Sequence, residues 1–239
     1  MKAAVLDRLL HLRAEHRPVA LLTDLTSGRQ ALIVDGRAEG ELQPGPDQLA
    51  AAADAIRSDR SGLLPGDAEV FAHVFNPPLR LIIVGAVHIA QVLAPMATLL
   101  GYRVAVVDPR RTWATAERFP EVTVLADWPD AALAGLGLDH RSAVVTLSHD
   151  PKLDDPGLET ALKSDAFYIA ALGSRKSHAK RMERLRARGL DESDLARIQG
   201  PAGLALGGRS PGEIAVSILA QMTQSLHETV PPASARATG

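Results

Sequence analysis

The chain has 239 residues, enough for one large domain or two small ones. Hydrophobic residues make up 46% and charged residues 23%, which excludes a disordered chain, and an aromatic share of 3% predicts an aliphatic core. The formal net charge of −2 gives no general attraction to nucleic acid or to an anionic membrane, so neither is predicted as a partner. The absence of cysteine excludes disulfides, cysteine nucleophiles and thiolate metal sites.

The first 78 residues predict a small α+β domain. Two strand-like runs flank a glycine-containing turn, which is typical of a hairpin. The domain boundary is placed at Asn76-Pro77-Pro78, because a residue before proline is pushed out of helical geometry. The opening residues do not resemble a signal peptide and no apolar run reaches the ~18 residues of a membrane span, so we expect a cytoplasmic protein. The predicted elements are a helix over 2–14, strands over 19–25 and 30–34, a helix over about 46–58 and a strand over 69–75.

Residues 79–230 predict a Rossmann-like domain with a doubly wound parallel sheet. Short apolar runs alternate with helical segments, and the runs lack the polar alternation of a half-exposed strand, so both faces of each strand should be buried. The run 81–84 should lie near the centre of the sheet, and 231–239 should form a flexible tail. The predicted strands are 81–84, 103–107, 122–124, 142–147 and 167–172, and the predicted helices are 88–100, about 156–163, 176–188 and about 211–227.

Ligands of such sheets bind outside the carboxyl ends of the strands, where the first loop here reads Gly85-Ala86-Val87-His88-Ile89-Ala90. Glycine and alanine hold the outer positions of a G-x-G-x-x-G/A fingerprint, but Val87 replaces the glycine that lets a pyrophosphate approach. We predict that Gly85, Ala86, Val87 and His88 contact a phosphate-bearing cofactor, and that Val87 weakens NAD(H) binding. A plain strand-to-helix turn is the alternative.

The second loop carries Asp108 and Arg110. The spacing between Gly85 and Asp108 is close to the ~20 positions expected of a carboxylate that binds a ribose 2′-hydroxyl. Arg110 can instead accommodate a 2′-phosphate or another anionic group. The sequence therefore predicts a nucleotide contact at both residues, with a surface turn as the alternative.

The third loop, Ser148-His149-Asp150-Pro151-Lys152-Leu153-Asp154, follows the most strongly apolar run. Adjacent Ser, His and Asp do not form a hydrolase triad, because neighbouring side chains diverge and no G-x-S-x-G motif precedes them. His149 and Asp150 carry metal-binding atoms, but no second pair at ligand spacing is visible, so a metal is not predicted. We predict cofactor contacts at all three residues.

The fourth loop, Gly173-Ser174-Arg175, predicts an anion site: a glycine turn, a serine that can cap the next helix, and a cation. The other basic residues up to Arg188 spread around the helix and indicate a solvated face. A fifth, glycine-rich loop over 200–208 can close over a ligand or simply connect to the last helix. That helix should begin with a capping box formed by Ser210 and Glu213.

These motifs, in this order, resemble the Rossmann domain of the XdhC/CoxI family over about residues 79–226. The resemblance implies an accessory protein that receives the molybdenum cofactor, aids its sulfuration with a cysteine desulfurase, and delivers it to an apo molybdenum hydroxylase such as xanthine dehydrogenase or carbon monoxide dehydrogenase. The cofactor would be molybdopterin or its dinucleotide form, with NAD(P) a weaker candidate, and a homodimer is a further candidate assembly. The pterin or the oxygen ligands of the metal would contact His88, His149 and Asp150.

The chain departs from the family pattern at two places. The family loop usually reads Gly-Ala-Gly-His where Val87 stands here, and the usual Gly-Gly-Gly-Cys-type segment of the N-terminal domain is missing. No covalent chemistry is required of such a carrier, which favours a maturation factor over an enzyme. Two rival hypotheses remain: an NAD(P)-dependent oxidoreductase, favoured by Asp108 but lacking a recognisable proton relay, and a nucleotide-sensing module without a client enzyme.

Overall fold

A computed structural model describes residues 2–66 and 69–228. The chain divides into two compact units, 1–77 and 78–239. The predicted tail, 231–239, lies outside the described residues. Among the residues that the structure describes, no helix is long and apolar enough to cross a membrane.

The N-terminal unit is an antiparallel sheet with a helix on each face. The predicted hairpin is present, with Leu21 opposite Leu32. Alternation along β1 sends Leu21 toward α1 and Leu22 toward α2, which gives the unit two small aliphatic cores. Its sheet order is β3-β2-β1-β5-β4. The elements are α1 Ala3–Ala14, β1 Val19–Asp24, β2 Gln30–Val34, β3 Arg37–Gly40, α2 Pro46–Ser58, β4 Gly62–Leu63 and β5 Val70–Phe75.

The second unit is a six-stranded sheet in which every strand pairing is parallel. Its elements are β6 Arg80–Val84, α3 His88–Leu99, β7 Arg103–Val107, β8 Thr123–Leu125, α4 Pro129–Leu136, β9 Ser142–Thr146, α5 Pro151–Leu162, β10 Tyr168–Ala171, α6 Arg175–Ala187, α7 Glu192–Leu195, β11 Ile198–Gln199 and α8 Pro211–Glu228. The strand order β11-β10-β9-β6-β7-β8 is that of a doubly wound Rossmann sheet. The predicted fold class is confirmed, with β6 between β7 and β9 at the centre.

Helices cover both faces of this sheet, as the unbroken apolar strands require. Leu81 and Ile83 of β6 pack in one cluster with α3 and α8, whereas Ile82 and Val84 pack in the other with α4, α5 and α6. The outermost strands are short: β11 has two residues and β8 has three. The sheet therefore presents its carboxyl edge, between two layers of helices, as the place where a ligand can be held.

The helix after β9 begins earlier than predicted, at Pro151 rather than near residue 156. The side chain of Asp150 accepts a hydrogen bond from the backbone N–H of Lys152 at 2.9 Å, which caps the helix, and a proline suits its first position. Pro156 lies inside the helix, where the prediction had taken it as the start. Residues 151–154 are consequently helical and do not belong to the third loop.

Candidate functional site

The predicted site residues follow the carboxyl ends of four neighbouring strands, β7, β6, β9 and β10. Parallel strands end at one edge, so these loops share one side of the sheet. The point where the strand order reverses lies between β6 and β9. The predicted residues are Gly85, Ala86, Val87 and His88 after β6, Asp108 and Arg110 after β7, Ser148, His149 and Asp150 after β9, and Gly173, Ser174 and Arg175 after β10.

The first and third loops touch at the reversal point. Gly85 has a φ of +105°, and a Cβ atom there would lie 2.9 Å from the backbone nitrogen of Ser148. A side chain at position 85 would thus strain the backbone and collide with the neighbouring loop. This explains the first glycine of the fingerprint by chain packing alone.

Ala86 has both of its backbone polar groups engaged. Its N–H donates to Oδ2 of Asp108 at 2.8 Å, and its carbonyl oxygen accepts from Nη1 of Arg118 at 3.0 Å. The residue is fully buried. Ala86 therefore fixes the loop in place and has no free backbone group for a ligand.

The start of α3 is the open part of the first loop. Val87 is the N-cap residue in extended geometry, and no side chain of the described ranges caps the helix. The first N–H groups of an α-helix have no intrahelical acceptor and carry the positive end of the helix dipole. His88 at the first helical position is exposed. The arrangement can accept an anion at the backbone of residues 87–89.

Asp108 is completely buried and holds the first two loops together. Besides Ala86, it binds Arg110, which donates from Nε to Oδ1 at 2.8 Å and from Nη2 to Oδ2 at 2.6 Å. Burial acts to raise the pKa of this carboxyl, but the hydrogen bonds from Arg110 and Ala86 outweigh it and hold the pKa below its usual range. The carboxylate is ionised and its oxygens are already occupied.

Arg118, in the segment between β7 and β8, also reaches the first loop, and Trp113 of the same segment contacts Arg118. The sequence reasoning selected neither residue. Arg118 donates to the carbonyl oxygens of Ala86 and Trp113 and, at 3.1 Å, to Oε1 of Gln91. The guanidinium groups of Arg110 and Arg118 lie over the Trp113 ring, 4.5 Å and 5.5 Å from its centroid. The only signal in the sequence was a tryptophan in a chain poor in aromatic residues.

In the third loop, Ser148 faces inward and His149 outward. The Ser148 hydroxyl donates to Oδ1 of Asp154 at 2.6 Å, which ties the loop to the first turns of α5. His149 is exposed and has a φ of +62°, the left-handed region that a histidine seldom occupies. Asp150 is engaged as the cap of α5. Of the three predicted contacts, the His149 side chain is the one left free to meet a ligand.

Behind this loop lies a buried ion pair between α5 and α6. The Nη2 atom of Arg181 lies 3.5 Å from Oδ2 of Asp154 and donates to the carbonyl oxygen of Leu172 at 2.9 Å. Arg181 is 3% exposed, so it does not belong to the solvated face that the spread of basic residues indicated. Burial raises the pKa of Asp154, with Ser148 and Arg181 acting in the opposite direction, and burial lowers the pKa of Arg181.

The fourth loop supplies the cap of the helix that follows it, α6. The Ser174 hydroxyl accepts from the backbone N–H of Ser177 at 3.1 Å, which satisfies one of the unpaired N–H groups in the first turn of α6. Arg175 is exposed, and no contact within the described part of the chain engages its guanidinium. Arg184, expected to be a simple surface charge, instead makes two hydrogen bonds to the buried carboxylate of Asp155. The loop therefore contributes an exposed cation, and its serine leaves α6 with fewer free N–H groups than an uncapped helix start.

The fifth loop is glycine-rich because other groups approach its backbone. A Cβ atom at Gly200 would lie 1.9 Å from Nδ1 of His178, and one at Gly203 would lie 2.3 Å from the Ser217 hydroxyl. The predicted capping box of α8 is present: Ser210 N–H donates to Glu213 at 2.9 Å, and Glu213 N–H donates to the Ser210 hydroxyl at 3.3 Å. Packing accounts for these two glycines, which supports the connector interpretation.

Comparison with known proteins assigns the family. The XdhC Rossmann domain matches residues 81–222, which is more than half of the chain. The chain belongs to the XdhC family. The resemblance inferred from the sequence motifs is thereby confirmed.

Among relatives of this XdhC-family chain, the protein YqeB of Escherichia coli K12 is 32% identical over 172 residues, which cover 72% of the chain and 31% of YqeB. The molybdenum cofactor insertion chaperone PaoD of the same organism is 30% identical over 165 residues, 67% of the chain and 46% of PaoD. The chain spans less than half the length of these two relatives. A solved structure described as a xanthine dehydrogenase from Bacillus halodurans superposes with a TM-score of 0.72 at 26% identity, covering 96% of this chain and 65% of that one.

Proposed function

We propose that this XdhC-family protein binds the molybdenum cofactor at the carboxyl edge of its parallel sheet and delivers it to an apo molybdenum hydroxylase. Family membership and the similarity to the insertion chaperone PaoD support a role in enzyme maturation. Xanthine dehydrogenase and carbon monoxide dehydrogenase are the candidate clients. The chain acts as a carrier in this proposal, and no covalent step is assigned to it.

One observation carries the proposal: the uncapped start of α3 at the point where the strand order reverses. The molybdenum cofactor carries a terminal phosphate or, in its dinucleotide form, a pyrophosphate that links the pterin part to a nucleoside. Free N–H groups at a helix start, reinforced by the helix dipole, bind a terminal phosphate without any special side chain. Val87 at this position favours the form of the cofactor that has no pyrophosphate there. Arg175 supplies an exposed positive charge that can pair with a phosphate oxygen.

The donor groups present fit the organic part of this cofactor better than its metal. Within residues 2–66 and 69–228 there is no group of three or more His, Asp or Glu side chains placed to hold a metal ion. Cysteine is absent from the whole sequence. The cofactor would therefore be held through its phosphate and its pterin, with His88 and His149 exposed toward the oxygen ligands of the metal. A carrier that does not ligate the metal directly can release the cofactor intact.

The partners follow from the same proposal. The apo hydroxylase is the acceptor, and a cysteine desulfurase is expected to take part if sulfuration occurs on the bound cofactor. A homodimer remains a prediction. None of these assignments depends on the N-terminal unit, which lacks the cysteine-containing segment that is usual in the family.

The rival hypothesis, an NAD(P)-dependent oxidoreductase, rested on Asp108 as the ribose carboxylate. In the structure this carboxylate is fully buried and already accepts hydrogen bonds from Ala86 and Arg110. To bind a ribose it would have to give up one of these partners, which is costly for a buried charge. This geometry favours a positioning role for Asp108.

A transfer experiment tests the proposed function. The purified protein is mixed with molybdenum cofactor released from a donor enzyme, free cofactor is removed by gel filtration, and molybdenum and pterin are quantified in the protein fraction. We expect both to co-elute with the protein and then to restore activity to an apo molybdenum hydroxylase. Cofactor that fails to co-elute, or that co-elutes but restores no activity above a bovine serum albumin control, would contradict the proposal.

A further inference from the structure

Trp113 is a large aromatic side chain left exposed beside the candidate site. It belongs to the segment between β7 and β8, and 41% of it is accessible to solvent. The chain has only two tryptophans. Indole rings usually bury most of their surface, so a tryptophan held open at a binding edge is a candidate contact for a ligand.

The two arginines over this ring are fixed by contacts other than the Trp113 side chain. Arg110 is held by two hydrogen bonds to the buried carboxylate of Asp108. Arg118 is held by carbonyl oxygens and by Gln91. Because Arg118 donates only to neutral acceptors, none of these hydrogen-bond partners neutralises its positive charge.

The same contacts place Trp113 next to the open start of α3. A single nitrogen of Arg118 donates to the carbonyl oxygen of Trp113 at 2.8 Å and to that of Ala86 at 3.0 Å. The guanidinium group of Arg118 therefore bridges the backbone of Trp113 and the first loop. Val87, which begins the uncapped helix, is the residue after Ala86.

We propose that Arg110 and Trp113 form a stacking surface for the planar heterocycle of a bound nucleoside or pterin phosphate, whose phosphate lies at the start of α3. Heterocycles stack on indole rings and on guanidinium planes, and a nearby cation favours an anionic ligand. Arg110 is suited to this role because its plane is locked by Asp108 and needs no reordering when the ligand arrives. The inference deepens the proposed function and rests on it for the identity of the natural cofactor.

Calorimetry with nucleoside and pterin monophosphates tests the stacking surface directly. Cytidine monophosphate, guanosine monophosphate and neopterin monophosphate are titrated into the full chain and into three variants: Trp113→Leu, Trp113→Phe and Trp128→Leu. Trp128 is the matched control, because it is 52% exposed and lies at the start of α4, outside the contacts described above. Thermal melts confirm that each variant is folded.

We expect Trp113→Leu to weaken the binding of at least one probe by about tenfold or more, because base stacking on an aromatic ring has an effect of that size. Trp113→Phe should restore most of the affinity, and Trp128→Leu should leave it unchanged. An effect on the nucleotides alone assigns the surface to the nucleotide half of a dinucleotide cofactor. An effect on neopterin monophosphate alone assigns it to the pterin.

Fluorescence supplies a second readout that depends on stacking rather than on affinity. In a Trp128→Phe variant, Trp113 is the only indole, and a stacked heterocycle should quench its emission in a saturable way. The inference is overturned if none of the three probes binds the wild type, if Trp113→Leu and Trp128→Leu behave alike, or if binding leaves the emission unchanged.

The outcomes separate this inference from the proposed function. Molybdenum cofactor that binds equally well to wild type and to Trp113→Leu, and is delivered from both, overturns the stacking surface and leaves the carrier role intact. Nucleotides that bind through Trp113 in a protein that delivers no cofactor overturn the carrier role and support the stacking surface in a nucleotide-sensing module.

Discussion

The helices α3 and α6 begin at the same edge of one parallel sheet, but their first turns are built differently. Ser174 caps α6 with its own hydroxyl, whereas no side chain within the described ranges caps α3. The loop before α6 has the stronger sequence signals for an anion site, a serine and an arginine. The hydroxyl of that serine, however, is already engaged as the cap of α6. An anion is attracted to N–H donors that the chain leaves free, and a capping residue occupies one of them.

The largest effect should come from the inner face of α6, where Arg181 pairs with the buried Asp154. Arg181→Ala leaves that carboxylate and the Leu172 carbonyl oxygen without their partner, and we expect a loss of about 3 kcal/mol in the free energy of unfolding. Denaturant unfolding measures it, with the exposed Lys180→Ala as the control. A loss no larger than that of the control would mean that α6 is not anchored through this pair.

The next effect concerns the free cation of α6. Arg175→Ala should weaken molybdenum cofactor binding by about 10-fold to 100-fold and leave the thermal melt nearly unchanged, because a charge-assisted hydrogen bond contributes about 1.5–3 kcal/mol. Lys180→Ala is again the appropriate control, since Arg184 is committed to Asp155 and its removal would disturb a buried carboxylate. Equal losses at positions 175 and 180 would indicate a diffuse basic face.

The smallest effect should come from adding a cap to α3 and, in a separate variant, removing the cap of α6. Val87→Thr keeps the branched shape and adds a hydroxyl that can cap α3, so we expect a gain of about 0.5–1 kcal/mol in stability and a severalfold loss of inorganic phosphate and cofactor affinity. Ser174→Ala should cost α6 about 1 kcal/mol without comparable loss of affinity. Calorimetry and thermal melts on both variants make the test. If Val87→Thr binds phosphate as tightly as the wild type, the start of α3 is not the anion site.

The sequence predicted the sheet well because parallel strands carry their signal locally. The run 81–84 is apolar at every position, and it is the central strand. Three strands were missed, for two reasons. β3 is largely exposed and polar, and β4 and β11, with two residues each, are too short to form a pattern, so all three exist through pairing with a neighbour.

The place of the candidate residues at the ends of the strands was predictable, but the orientation of their side chains was not. The rule that ligands bind at strand ends selected Asp108, but it could not show that the carboxylate turns inward to Ala86 and Arg110. Periodicity on a helix rich in arginine could not separate the buried Arg181 from its exposed neighbours, because the partner, Asp154, lies on another helix. Trp113 lies in a segment without regular structure, where no motif directs attention to it.

The short outermost strands of the Rossmann sheet have a consequence for self-association. A sheet edge offers unpaired N–H and C=O groups to any other extended chain, and a long flat edge invites intermolecular strand pairing. Here the two edges are β11, with two residues, and β8, with three. Such edges provide little length for another strand to pair with. The shortness of β8 and β11 therefore protects this sheet from aggregation through strand pairing.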